Sequence, residues 1–136
     1  MLIVNWKECT ANKVGNYPYR GRPLPVNGVT IRWLSNVGLD DSGAAEYGLR
    51  YFAVEKDGDI PIHKHFYAQT MYFLKGEFEV TSFKEEDDSL IETRKATVGD
   101  SVFIPSMEPH AIRNVGSGDG AFLCCICNVY GSEDVL

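Results

Sequence analysis

The sequence predicts an all-β fold, built either as an antiparallel sandwich or as a closed barrel. Two observations lead to this prediction. Short runs rich in β-branched and aromatic residues alternate with turn signals such as "NG" at 27, "DG" at 57, "KG" at 75 and "VGD" at 98. No long segment carries the apolar spacing of an amphipathic helix. Periodicity alone leaves the choice between sandwich and barrel open.

Nine runs read as short strands bounded by turn residues. Alternate residues of such strands can fill one core, while either architecture removes or shields the sheet edges. The first 28 residues are expected to form an N-terminal strand and an irregular arm, since residues 12–28 hold three of the six prolines. The predicted strands cover residues 30–34, 49–54, 60–65, 70–74, 77–83, 90–96, 101–104, 110–114 and 121–129.

Length and composition predict one domain over residues 1–136. The chain is 44% hydrophobic and 12% aromatic, which suffices for one core but not comfortably for two. Its 13 basic and 19 acidic residues give a formal net charge of -6. This balance provides no general attraction to nucleic-acid phosphates or anionic lipid, so we expect neither nucleic acid nor a membrane as a partner.

The apolar runs and cysteines predict a cytoplasmic protein. The N-terminal "MLIV" lacks a preceding basic region, and the longest apolar run, "AFLCCIC", covers only residues 121–127. Neither is typical of a signal peptide or a membrane span. The spacing of Cys9, Cys124, Cys125 and Cys127 does not indicate a disulfide framework. We expect reduced thiols, and in the apolar run we expect small core residues rather than metal ligands.

All three histidines fall in two short segments, the first of which is "HKHFYAQTMYF" at residues 63–73. His63 and His65 project to the same face of a strand and can bind one ion together, whereas Lys64 faces the other way. A lone H-x-H pair is weak evidence for a metal. His110, which begins another predicted strand, and Gln69, whose amide oxygen is a neutral ligand, make a shared site more plausible.

These segments resemble the two motifs of the cupin family, which read G-x5-H-x-H-x3,4-E-x6-G and G-x5-P-x-G-x2-H-x3-N. The matching stretches cover residues 57–76 and 99–114, with the spacing of both motifs kept. Three positions depart from the pattern, because Asp57 and Met107 replace glycines and Gln69 replaces the glutamate. The matching residues are His63, His65, Gln69 and Gly76 in the first motif, and Gly99, Pro105, His110 and Asn114 in the second.

The resemblance implies a cupin barrel, which is a double-stranded β-helix of the jelly-roll type. It also implies one divalent transition metal held by His63, His65, Gln69 and His110. Three imidazoles and an amide oxygen suit iron, nickel, zinc or manganese, and the sequence does not choose among them. Because Gln69 is uncharged, the metal would keep more of its positive charge than beside a glutamate and would be the stronger Lewis acid.

Gln69 also removes a base that some oxygenases of the cupin family are thought to use, since an amide cannot accept a substrate proton. Glu108, two residues before His110, and the phenol of Tyr67 are the candidates for the missing acid or base. A substrate that supplies its own base is the other possibility.

Several side chains are expected to line a pocket around the metal. Met71 and Phe73 share a strand face with Gln69, and Phe103 or Ile104 should line the barrel from the second motif. In "RYFAVE" alternate residues point to opposite faces of the strand, and the sequence does not show which of the two sets faces inward. If the set with Arg50 faces inward, Arg50 is a ready clamp for a substrate carboxylate.

Three functions compete. The first is a metal-dependent enzyme acting on a small organic molecule, with a dioxygenase-like oxidoreductase favoured and isomerase or lyase chemistry open. The second is a metal-binding or small-molecule-binding and sensing module without chemistry, which the missing glutamate favours. The third is a barrel whose metal only stabilises the fold. As in many cupins, we expect a homodimer, formed through the apolar "LIV" at residues 2–4 and Trp6.

Overall fold

The structure is a computed structural model that describes residues 1–37 and 47–127. Within these residues the regular structure consists of eleven β-strands. They contain no helix of the length and apolarity that crossing a bilayer requires. The strands are β1 (Asn12–Lys13), β2 (Asn16–Tyr19), β3 (Arg22–Pro25), β4 (Asn27–Val37), β5 (Tyr47–His63), β6 (Ala68–Lys75), β7 (Glu77–Phe83), β8 (Leu90–Thr97), β9 (Ser101–Ile104), β10 (His110–Asn114) and β11 (Gly120–Cys127).

Nine of these strands form one antiparallel sheet that curls into a nearly closed barrel. Its main path runs β8-β7-β10-β5-β11-β6-β9, with β4 paired to both β5 and β1. The all-β prediction is confirmed, and the barrel is the architecture adopted. Closure leaves few free sheet edges and gives every strand one face toward a common interior.

The longest strand, β5, replaces two predicted strands. Residues 49–54 and 60–65 were expected to be separated at "DG", but the structure continues through this pair as a bulge with a φ of 61° at Asp57. A side chain on Gly58 would lie 2.8 Å from the carbonyl oxygen of Asn27, so the close approach requires glycine here. The bulge lets one strand serve two partners, because β5 pairs with β11 before it and with β10 after it.

Residues 12–28 form strands rather than an irregular arm, which corrects the prediction. β2 and β3 form a separate hairpin, and Arg20 and Gly21 at its two-residue turn have φ values of 48° and 75°. Positive φ at both turn positions matches the right-handed twist of a hairpin. The three prolines are tolerated because a two-stranded hairpin leaves one edge of each strand unpaired. Residues 1–11 contain no strand.

An aromatic cluster fills the core next to the turn between β6 and β7. The fully buried rings of Phe73, Phe78 and Phe122 lie 4.9 to 5.7 Å apart between centroids. A side chain at Gly120 would lie 2.5 Å from the Phe78 ring, so glycine is needed for this packing. Each buried ring contributes about 1.5–3 kcal/mol through its burial. Further along β10 and β11 the inward residues become polar, and there the candidate site begins.

Candidate metal centre

The three histidines converge inside the barrel. One ring nitrogen from each of His63, His65 and His110 lies within 4.8 Å of the other two. The ring centroids of His63 and His110 are 4.2 Å apart, and those of His63 and His65 are 4.9 Å apart. His63 is 3% exposed and His110 is fully buried. Nitrogens this close can bind one ion together.

Strand register produces this convergence. His63 is the last residue of β5 and lies directly opposite His110, the first residue of β10. His65 follows two residues later, and the backbone there is held because Met107 donates its N–H to the His65 carbonyl at 2.7 Å. A second irregularity in β5, between Ile60 and His63, sets this register, because Ile112 lies opposite Ile60 while His110 lies opposite His63.

Two backbone carbonyls fix the imidazole tautomers. The Nδ1–H of His63 donates to the Pro61 carbonyl at 2.8 Å, and the Nδ1–H of His110 donates to the Glu108 carbonyl at 2.9 Å. A carbonyl can only accept, so in both rings the proton lies on Nδ1 and the lone pair on Nε2. Metal-binding histidines usually donate their second ring N–H in this way to a group that does not itself bind the metal.

Burial also keeps the imidazoles uncharged. It lowers the pKa of His63 to about 3, with a further lowering by the neighbouring His110. Burial and the charges of His63 and His110 lower the pKa of His65 to about 2. The pKa of His110 is lowered by burial as well. Neutral imidazole is the form that binds metals, so the ligands need not lose protons at neutral pH.

Gln69 lies beside the cluster, on the inward face of β6 as expected. Its amide nitrogen is 2.7 Å from Nε2 of His110, and its oxygen accepts from the Cys124 thiol at 3.5 Å. A half-turn of the amide exchanges nitrogen and oxygen, which brings a neutral oxygen ligand toward the histidines. Three neutral imidazoles with one amide oxygen fit a divalent transition metal of the borderline class.

Two tyrosines form the walls of the cluster. The Tyr17 ring stacks on His63 at 4.5 Å and 17°, and the Tyr67 ring stacks on His65 at 4.5 Å and 12°. Burial raises the pKa of Tyr17 to about 12 and also raises that of Tyr67. At neutral pH both phenols therefore keep their protons and act as donors rather than bases.

The cavity enclosed by these groups is small. Its volume is about 10 Å³, which is the space of one water molecule or one ion. Its described lining contains no aspartate or glutamate. Met71 and Phe122 supply apolar wall, while Phe73 lies in the aromatic cluster of the core.

Arg50 faces the cavity, which settles the alternation that the sequence left open. It is 4% exposed and shares the inward face of β5 with Phe52 and Val54. Its Nη2 donates to the Cys124 sulfur at 2.9 Å. Burial raises the pKa of Cys124, so this thiol stays protonated at neutral pH even though Arg50 acts against the shift.

Two predicted site residues lie elsewhere. Phe103 is 63% exposed, so the expectation that it lines the pocket is corrected: strand alternation turns its neighbour Ile104 inward instead. The side chain of Glu108 does not line the cavity around the histidines, and only its backbone carbonyl serves the site, by orienting His110.

Sequence reasoning missed Tyr17, and it expected core residues in the run that contains Cys124 without placing Cys124 beside the histidines. Nothing in a proline-rich hairpin marks Tyr17 as a wall of a site that lies 46 residues further along the chain. For Cys124 the sequence signal is strand alternation in "CCIC". Cys124 and Ile126 share one face, which is the buried one in the structure, whereas Cys127 is exposed. That pattern could have placed Cys124 inside.

Comparison with known proteins agrees with this geometry. The family profile described as "Cupin domain" matches residues 50–126. An uncharacterized protein of Methanocaldococcus jannaschii is 32% identical over 73 residues, which are 54% of this chain and 54% of that protein. The chain thus matches about half the length of that curated relative.

Solved structures share the fold. The polyketide cyclase RemF of Streptomyces resistomycificus superposes with a TM-score of 0.68 at 24% identity, covering 98% of this chain and 89% of that one. A cupin-2 domain of Rhodospirillum rubrum superposes with a TM-score of 0.65 at 22% identity, covering 96% and 77%. Identities this low show the fold alone. Together with the profile match over more than half of its length, they place this chain in the cupin family.

Proposed function

We propose that this chain is a metal-dependent enzyme acting on a small organic molecule. The observation that carries the proposal is the convergence of the buried His63 and His110 and the half-buried His65 on one point, with Gln69 beside them. The Nδ1–H groups of His63 and His110 bind backbone carbonyls, which leaves their Nε2 lone pairs as the atoms that one divalent metal can bind.

The metal, when bound, would polarise a substrate oxygen or, if it is redox-active, support oxygen chemistry. The protein contributes position and a dry environment. Met71 and Phe122 give the cavity an apolar wall, and the protonated phenol of Tyr17 lines it and can donate a hydrogen bond to a substrate oxygen. The Tyr67 phenol, stacked on His65, is a second donor beside the histidines. No described carboxylate lines the cavity, so the substrate must enter already deprotonated or pass its proton elsewhere.

Dioxygenase-like oxidation is the first reaction to test, and isomerisation or elimination is the second. The neutral ligand set favours non-redox Lewis-acid chemistry if the metal is zinc or nickel. The iron-loaded protein should consume oxygen with members of a panel of flavonols, diketones and catechols. The zinc-loaded protein should convert the same compounds under nitrogen if the chemistry is not oxidative. Absence of turnover in both arms contradicts the enzyme proposal.

Elemental analysis tests the metal itself. We expect about one equivalent of a transition metal in the wild-type protein purified without added metal, and its loss in His65→Ala. Lys64→Ala is the matched control, because Lys64 points outward to an ion pair with Glu85 at 2.8 Å and should leave the metal content unchanged. Equal metal in all three proteins, or none after reconstitution, would refute the site.

A non-catalytic binding module is the second candidate function. The observation that favours it is the cavity volume of about 10 Å³, which is too small for an organic substrate unless a wall moves. This candidate expects tight retention of a metal or metabolite through purification and no turnover in the panel above.

A further inference from the structure

The interior contains a positive charge that no described side chain neutralises. Arg50 lines the same cavity as the histidines and is 4% exposed. None of the three ion pairs among the described residues involves it, and no described carboxylate lines the cavity. A buried guanidinium without a countercharge is unfavourable and is rarely retained without a partner.

The contacts that Arg50 does make are weak substitutes for an anion. The guanidinium lies 5.2 Å from the Phe52 ring, 5.6 Å from the Trp33 ring and 6.0 Å from the Tyr67 ring, measured to the centroids, and it also interacts with the Tyr67 phenol. Its Nη2 bonds to the Cys124 sulfur, which is a poor acceptor. Its Nε is buried and has no hydrogen-bond partner. At least one N–H of the planar Arg50 guanidinium, the one on Nε, therefore has no acceptor, although Arg50 lines the cavity.

The ligand set adds to this imbalance. The imidazoles are neutral and Gln69 is neutral, so a divalent metal at the cluster would bring two further positive charges with none opposing them among the described lining residues. With a metal bound, the centre of the barrel would be strongly positive although the whole chain has a formal charge of -6. Such a centre is complementary to an anion.

We propose that the site recognises a small carboxylate, whose two oxygens are held by the Arg50 guanidinium next to the metal. The planar fork of arginine matches a carboxylate in a two-point contact. This inference rests on the proposed function, since it names the substrate class of the same site. Arg50 is then the residue that selects acids over their neutral analogues.

Entry of a carboxylate requires one wall to move, because the cavity holds only about 10 Å³. Tyr17 is the wall that can yield. It belongs to the two-stranded β2–β3 hairpin, whereas most of the other lining residues belong to the barrel sheet or follow directly from it.

Isothermal titration of the zinc-loaded protein in carboxylate-free buffer tests the proposal. The probes are acetate and acetamide, which have nearly the same shape and differ in charge. We expect acetate to bind wild-type protein and acetamide to bind at least roughly tenfold more weakly. Arg50→Met should weaken acetate binding roughly 10- to 100-fold, which is the effect of losing charge-assisted hydrogen bonds.

Two further variants make the result specific. Arg50→Lys keeps the charge without the fork, so its acetate affinity should lie between those of wild type and Arg50→Met; it also serves if Arg50→Met fails to fold. Arg32→Met is the matched control, because Arg32 packs over the Trp6 ring at 5.4 Å on the outer face of β4 and should not change acetate affinity.

Zinc content measured in each variant separates this inference from the metal proposal. The inference is overturned, and the metal site stands, if every variant holds full zinc but acetate affinity does not depend on Arg50. The inference is overturned in the same way if acetate does not bind at all. If the wild type holds no zinc, the metal proposal fails. The same acetate titration of the metal-free protein then tests the carboxylate site by itself. Acetate binding that depends on Arg50 supports the carboxylate site, and acetate binding that does not depend on Arg50, or no binding, refutes it.

Discussion

Three residues at which this chain departs from the cupin motifs differ in their consequences. Asp57 and Met107 replace glycines and adopt φ values of 61° and 67°, the left-handed conformation for which glycine is favoured. Aspartate tolerates this conformation better than methionine does. Gln69 keeps its backbone in an ordinary strand and changes only the chemistry of the site.

Met107 is expected to hold local strain that glycine would remove. Its side chain is 37% exposed, so little packing is lost when it is removed. We predict that Met107→Gly is about 0.5–1 kcal/mol more stable than Met107→Ala, because only alanine keeps the left-handed penalty, while glycine adds chain entropy when unfolded. Urea unfolding of both variants measures this. An alanine variant as stable as the glycine variant would show that the backbone is not strained.

Asn114 holds two parts of the barrel together. Its fully buried amide group shares two hydrogens among the carbonyls of Val54, Glu55 and Gly118, which lie 2.9 to 3.1 Å from the nitrogen, and its oxygen accepts from the Gly116 N–H. We expect Asn114→Ala to lower the free energy of unfolding by about 3 kcal/mol, since it leaves buried carbonyls without a donor. Arg113→Ala, at the exposed neighbouring position, should stay within about 0.5 kcal/mol of wild type. Similar losses in both variants, measured by denaturant unfolding, would argue against this role.

At the level of elements, the β2–β3 hairpin is the part of the fold that covers the site. Its tip is attached to the loop between β7 and β8, because Tyr19 donates to Asp88 and the Arg20 guanidinium pairs with the same carboxylate at 3.0 Å. Its other end carries Tyr17 against His63. Loosening the tip should therefore open the site.

We predict that Asp88→Asn speeds the removal of bound metal by a chelator several-fold. Asp87→Asn is the matched control, since Asp87 contacts only its own loop through Ser89 and should leave the rate unchanged. Stopped-flow mixing with a coloured chelator measures the rates. If both substitutions act equally, the loop charge rather than the hairpin contact is responsible.

The hairpin contact also has a defined pH dependence. The hydrogen bond from Tyr19 and the pairing with Arg20 lower the pKa of Asp88 below its ordinary value of 3.8. The contact thus contributes stability above that value and loses it as pH falls through the lower pKa of the folded protein. Thermal unfolding of wild type and Asp88→Asn should differ at neutral pH and converge on acidification below about pH 4. A difference that persists in acid would contradict this assignment.

At the level of the whole molecule, an exposed apolar segment precedes the barrel. Leu2 and Ile3 are 72% and 89% exposed, while Trp6 stacks on Tyr51 at 4.5 Å and fixes the segment to the outer face of β5. Apolar side chains held outward in this way are typical of a contact surface.

We propose a homodimer formed through this segment. Light scattering should give twice the chain mass of 15.2 kDa for wild type, and Ile3→Asp should shift the mass toward the monomer. Val98→Asp is the control, because Val98 is 59% exposed in the turn after β8, away from the segment. A wild-type mass of 15.2 kDa would refute the dimer.

The sequence by itself determined the all-β class, most strand positions and the grouping of the three histidines. Alternation and turn residues are local properties, and they place residues 77–83, 101–104 and 110–114 where the structure has strands. Strand alternation grouped His63 with His65, because residues two apart project to one face. The resemblance to the cupin motifs added Gln69 and His110, which strand geometry alone does not relate to that pair.

Only the tertiary structure decided what surrounds those ligands. Strand β5 continued through Asp57 and joined two predicted strands, and a separate irregularity between Ile60 and His63 set His63 opposite His110, which depends on pairing between distant segments. The pairing of Ile104 with the inward Gln69 of β6 turned Ile104 rather than Phe103 inward, and the hairpin brought Tyr17 onto His63. The choice of strand face placed Arg50 inside, where its charge has no described counterpart. Which face of a strand is buried depends on what packs against it, and no single segment contains that information.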